Sequence, residues 1–365
     1  MVIPDPAATG AGIATGSLAQ SGRSARRILG MTLLTLVFPT AFVSALLLGS
    51  VAVPLADVLR VLVGASVENP VWHTIVMDVR LPRAITAAVA GAALSVAGVQ
   101  MQTLFRNPLA DPFVLGITSG AGLGVALVVL ASGGVGFATA MGLGAAFGVT
   151  GAASVGALGV TLVLLLIAGR TSSPVTMLVA GLMIGYVTNA LVSMLIWFAD
   201  PNRVTAFLSW GFGSFRGTSW TELTILVPVV LVGIVATLLM TKQLNALLLG
   251  EAYAASMGVS IRRTRRILVG LAAVLAGSVT AFCGPIGFIG IAVPHAVRSL
   301  FLTSDHRLVL PGSALLGASA ALVAEIVAQL PGADLVLPVN AVTALFGAPV
   351  VLLLILGRRT QGGFT

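Results

Sequence analysis

Charge is what this chain most lacks: Asp, Glu, Lys and Arg make up 8% of its 365 residues, where a soluble domain carries about 25%. With 58% hydrophobic residues and a mean hydropathy of +1.09, a water-soluble globule is excluded and an integral membrane protein is expected. Lysine occurs once, as Lys242, and Gln243 follows it. A GxxxxGK[ST] phosphate loop is therefore impossible, and the chain cannot be a P-loop ATPase on its own. Cysteine also occurs once, as Cys283, so no intrachain disulfide forms. The histidines, His73, His295 and His306, are scattered and no HExxH occurs, so no metal site is expected. No GxGxxG follows a strand pattern, no nucleophile and base can be paired, and no cofactor is implied. The one clear acid inside an apolar run is Glu325, which gives weak support to proton or sodium coupling. The excess of 19 Lys+Arg over 11 Asp+Glu does not imply nucleic acid, because charge in a membrane protein reports topology.

What is present is a series of apolar runs near the roughly 20 residues needed to cross a bilayer. They lie at about 28 to 50, 84 to 104, 114 to 131, 137 to 168, 176 to 198, 221 to 241, 265 to 283, 286 to 301, 308 to 330 and 338 to 357. The fold class is thus all-α and polytopic, with about ten transmembrane helices. The first run exceeds the 7 to 15 residues of a signal-peptide core. Residues 1–27, ending in Arg23, Arg26 and Arg27, are expected to form a disordered cytoplasmic tail, and 28–365 a single transmembrane domain. With the N-terminus inside, fourteen of the nineteen basic residues fall on inner segments, as the positive-inside rule asks. Both termini are then cytoplasmic. Trp72, Trp197, Trp210 and Trp220 fall at outer boundaries, and so do Arg80 and Arg83 of "RLPR".

Glycine, 43 in all, recurs at four-residue spacing and predicts close helix packing. From Ile267 to Val297 about 31 apolar residues are too few for two full crossings, which need about 40. The sequence "CGPIGFIG" is where extended backbone is expected, unless two short tilted helices meet there in a tight turn. The inner segment 242–264, "KQLNALLLGEAYAASMGVSIRRTRR" with its basic end, is too long for a hairpin and too apolar for a disordered linker. Its short apolar helix either lies on the lipid surface or docks into a soluble partner. The cluster Arg262 to Arg266 reads as a topology anchor.

Four blocks carry a resemblance: "VRLPRAITAAVAGAALSVAGVQMQTLFRNPLADPFVLGITSGAGLG", "LLLGEAYAASMGVSIRRTRR", "GPIGFIGIAVPHAVRSLFLTSDHRLVLPGSALLGA" and "LPVNAVTALFGAP". They are similar to the signature blocks of the FecCD family, permeases of bacterial type II ABC importers for ferric siderophores, haem and cobalamin. The resemblance implies a cobalamin-importer-permease-like subunit of ten helices in the inner membrane, paired with a second permease. It also implies two cytoplasmic ATP-binding subunits and an extracytoplasmic substrate-binding protein. On this likeness Gly250, Glu251, Ala254, Ala255, Gly258 and Val259 match the ATPase-docking segment. Arg80 and Arg83 match arginines that pair with glutamates of the binding protein, the alternative being arginines that snorkel to lipid phosphates. Ser173 and Thr176 in "RTSSPVTM" fall at the cytoplasmic gate. The sequence departs from the family pattern at Glu325 and Gln329, where Asp and Arg are usual, and at Val336 and Asn340, where Glu and Gly are usual; a third docking arginine is missing. A secondary transporter or channel without an ATPase is the alternative function.

Overall fold

A computed structural model describes residues 6–49, 51, 53–131, 145–171, 173–330 and 336–359. Among the described residues the chain is helical without strands. The helices are α1 Pro6–Leu47, α2 Leu55–Leu62, α3 Pro70–Thr74, α4 Leu81–Phe105, α5 Ile117–Ala126, α6 Ala145–Arg170, α7 Pro174–Phe198 and α8 Pro201–Gly211. They continue with α9 Trp220–Leu239, α10 Thr241–Leu248, α11 Glu251–Ser256, α12 Ile261–Cys283, α13 Ile289–Phe301, α14 His306–Ala328 and α15 Val339–Arg359. Seven stretches are long and apolar enough to cross a membrane, and the shorter apolar helices Ile117–Ala131, Ile289–Phe301 and Val339–Leu353 fill the places of the third, eighth and tenth expected spans. Each of the ten apolar runs read from the sequence holds a helix in its described part, while residue 50 of the first run and residues 137–144 of the fourth lie outside the described residues.

The helix α1 starts at Pro6, inside the segment whose composition predicts a disordered tail. The second span also starts earlier than expected. Helix α3, a π turn over Ile75–Arg80 and α4 form one stretch, Pro70–Phe105, whose α4 portion is largely buried. Pro82 has no N–H to give to the preceding turn, and a π turn immediately before it is one way a helix passes such a gap.

This stretch is the axis of the bundle. Two glycines let neighbouring backbones touch it: a Cβ on Gly91 would lie 2.1 Å from the Gly317 carbonyl oxygen of α14, and one on Gly98 would lie 1.9 Å from that of Gly290 in α13. In lipid, such small-residue contacts supply the packing that the hydrophobic effect supplies in water.

Between α12 and α13 the chain is non-helical at residues 284–287, within the sequence where a break is expected. Non-helical backbone at membrane depth survives only where protein satisfies it. Here Ser214 N donates to Cys283 O at 2.7 Å, and Gly287 N donates to Asn340 Oδ1 at 3.0 Å. Gly284 has φ +72°, and a side chain there would also collide with Trp210 O at 2.4 Å. Asn340, a departure from the family pattern, thus supplies the acceptor that this broken segment needs.

Candidate functional site

At the end of the bundle where α4 begins, the two arginines of "RLPR" part company. Arg80 is 5% exposed. Its Nη1 donates to Leu46 O at 2.7 Å and Leu47 O at 2.9 Å, and its Nη2 donates to Val51 O. These are carbonyls at and just beyond the C-terminus of α1, where a helix leaves acceptors without intrahelical partners. Gly49 makes room: a Cβ there would sit 2.9 Å from Arg80 Nη2 and 3.2 Å from Gln329 Oε1. The Arg80 guanidinium thus caps the end of α1.

Arg83, one turn on, is half-buried and near enough to Arg216 and Glu325 to feel both charges. The segment carrying Arg216 is tied to α4 by a 2.7 Å hydrogen bond between the hydroxyls of Thr218 and Thr86, and Trp220 Nε1 donates to Met77 O at 3.0 Å. Arg216 itself is exposed. Glu325 is buried and accepts from Gln329 Nε2 at 2.8 Å. Arg83 and Arg216 therefore lie close together near the buried Glu325. The sequence reading did not find Arg216, which lies 133 residues from Arg83 along the chain.

At the opposite end lie α10 and α11, the segment that the sequence reading expects to dock an ATPase. Gly250, between them, has φ +117°, a conformation open essentially to glycine alone. Glu251 is paired with Arg265 at 2.7 Å, and Arg265 also donates to Thr171 O at 3.3 Å. Arg265 is 1% exposed, so one member of the basic cluster is a buried strut, while Arg262, Arg263 and Arg266 are exposed as a topology anchor would be. Ala254 is fully buried. Of the expected docking residues, Ala255 and Gly258 are exposed, Val259 is half-buried, and Glu251 and Ala254 instead fix the segment to the bundle. Tyr253, Ser256 and Met257 join the exposed face, which borders a cavity of about 770 Å³ lined in part by Arg106 and Gly250.

A polar network anchors this end. His306 Nδ1 and N both meet Asn245 Oδ1, at 2.7 and 2.9 Å, while Asn245 Nδ2 donates to Asp305 at 2.7 Å. Burial pushes the Asp305 carboxyl up, but donation from Arg307 N and Asn245 and the nearby cations outweigh it and hold it below the usual range. Ser173 is the N-cap of α7, accepting from Thr176 N at 3.2 Å, and Thr176 is exposed.

A helical chain with this many apolar helices long enough to cross a bilayer is a multi-pass membrane protein. Residues 34–357 match the FecCD transport family, and the chain belongs to that family. It is 37% identical to the vitamin B12 import system permease protein BtuC of Klebsiella pneumoniae subsp. pneumoniae over 94% of this chain and 97% of that one. To the BtuC of Escherichia coli O9:H4 it is 39% identical, over 80% and 86% of the two chains. Among solved structures, an inward-facing metal-chelate type ABC transporter superposes with a TM-score of 0.77 at 28% identity, covering 89% of this chain and 97% of that one.

Proposed function

We propose that this chain is the permease subunit of an ATP-binding cassette importer that carries a metal chelate from a binding protein into the cytoplasm. The carrying observation is the segment 250–259, which the Glu251–Arg265 pair locks to the bundle while its other face stays exposed. A surface helix meant for lipid needs no such brace. Cytoplasmic ATP-binding subunits supply hydrolysis, a second permease copy or homologue completes the pathway, and both termini face the cytoplasm of the inner membrane. Of siderophore, haem and cobalamin, the relatives named as vitamin B12 permeases favour cobalamin. At the outer face Arg83, joined by Arg216 rather than Arg80, meets carboxylates of the binding protein; such rim pairs steer encounter and orientation. At the inner face the α7 N-terminus with Ser173 and Thr176 narrows the path.

The test is purification of the intact complex followed by uptake in proteoliposomes with each chelate supplied on its binding protein. An ATPase that co-purifies and ATP-dependent cobalamin uptake are expected. A chain that moves solute without any ATPase would establish the secondary-transporter alternative.

A further inference from the structure

Helix α4 ends at Arg106, whose backbone is left-handed, with φ 47° and ψ 35°. Residues other than glycine and asparagine avoid this conformation, and a helix end that needed only to stop would be served better by glycine. The side chain explains the arginine. It is exposed and reaches over Gly250, where a Cβ would stand 3.1 Å from Arg106 Nη2. Its hydrogen bond, Nη2 to Leu247 O, is long at 3.4 Å. Both ion pairs found among the described residues exclude it, and the one acid beside it, Glu251, is already held by Arg265.

The surroundings are those of a socket. The cavity of about 770 Å³ has the Arg106 guanidinium on one wall and Phe105, Leu249 and Tyr253 around it. Two unusual backbone conformations, at Arg106 and Gly250, therefore meet across one opening at the docking end of the bundle.

The geometry points to Arg106 as a docking cation, which receives a carboxylate from the ATP-binding subunit while Phe105, Leu249 and Tyr253 take the apolar residues beside it. This rests on the reading that an ATPase docks on this face. Charge complementarity selects the partner's chemistry: a guanidinium without an intramolecular acid, in a partly enclosed site, favours a bidentate carboxylate.

The test uses the full-length permease in nanodiscs, titrated with the ATP-binding subunit that co-purifies with it. Arg106→Gly keeps the left-handed backbone without strain and removes only the side chain. It should unfold no earlier than wild type yet bind the ATPase about tenfold or more weakly, in line with loss of one partner of a desolvated charge pair. Arg106→Glu should abolish binding. Folded Arg106→Gly with wild-type affinity would overturn the assignment. A wild-type chain that captures no ATPase would overturn the proposed function, and this inference with it.

Discussion

Replacing Arg80 by alanine should damage the fold rather than the partnership with a binding protein. The guanidinium donates to three carbonyls, those of Leu46, Leu47 and Val51. A hydrogen bond from a charged donor contributes about 1.5–3 kcal/mol, and a buried acceptor left without a partner costs about 1–3 kcal/mol. Water reaches part of this boundary, so a loss of about 3–5 kcal/mol is expected rather than the full sum. Arg80→Lys should recover part of it, because an ammonium is a point donor that cannot span three acceptors. Gly49→Ala should mimic the loss in milder form by pressing on Arg80 Nη2, 2.9 Å from the added carbon. Arg83→Ala should change stability by less than about 1 kcal/mol, since that side chain is half-exposed and makes no described hydrogen bond. The assay is paired: thermal unfolding of each variant in nanodiscs, and binding-protein affinity of the folded fraction at low and high salt. The reasoning is refuted if Arg80→Ala unfolds with wild type while losing affinity for the binding protein.

Three further outcomes are expected. Burial raises the Asp111 carboxyl to about 6, although donation from Phe113 N opposes it; a folded value above the unfolded one means that stability rises as pH falls from about 6 to about 4. Asp111→Asn keeps an acceptor for Phe113 N and should stabilise the protein by about 2–3 kcal/mol at pH 7.5, flattening that pH dependence in equilibrium unfolding. Glu251→Ala strands the 1% exposed Arg265 and should cost about 3 kcal/mol, whereas Arg265→Ala frees a carboxylate that is 34% exposed and should cost less; limited proteolysis of the 242–264 segment would rank them, and the reverse order would contradict the strut. Cysteines at Thr176 of two facing permease subunits should crosslink in the closed state and report the gate without removing the Ser173 cap, while failure in every nucleotide state would argue against a gate there.

The span count was legible because hydropathy on the bilayer length scale is a local property, carried by each run independently of its neighbours. The broken segment at Gly284 was legible too, since 31 residues cannot cross twice and the glycines and proline mark the weak point. Side-chain direction was not. Arg80 and Arg83 share composition and location, yet one points at the end of α1 and the other at the rim, a difference set by residues more than thirty positions away. Glu251 and Arg265 are 14 residues apart, with a turn between, so neither helical spacing nor charge counting could pair them. The role of Asn340 was not legible, because its partner, Gly287, lies 53 residues earlier in the chain. An arginine where a helix stop favours glycine, as at Arg106, is a signal the sequence did carry.

The backbone contacts of α4 determine which parts of this permease can slide. Shear between packed helices needs side chains that can exchange one set of neighbours for another. At Gly91 against Gly317 and Gly98 against Gly290 there are none, and a slide of one helical turn would bring Ala87 or Ser95, and Leu94 or Gln102, onto carbonyls that leave no room for a Cβ. Helices α4, α13 and α14 are therefore expected to move as one block, and any rearrangement to fall to the elements hung on it.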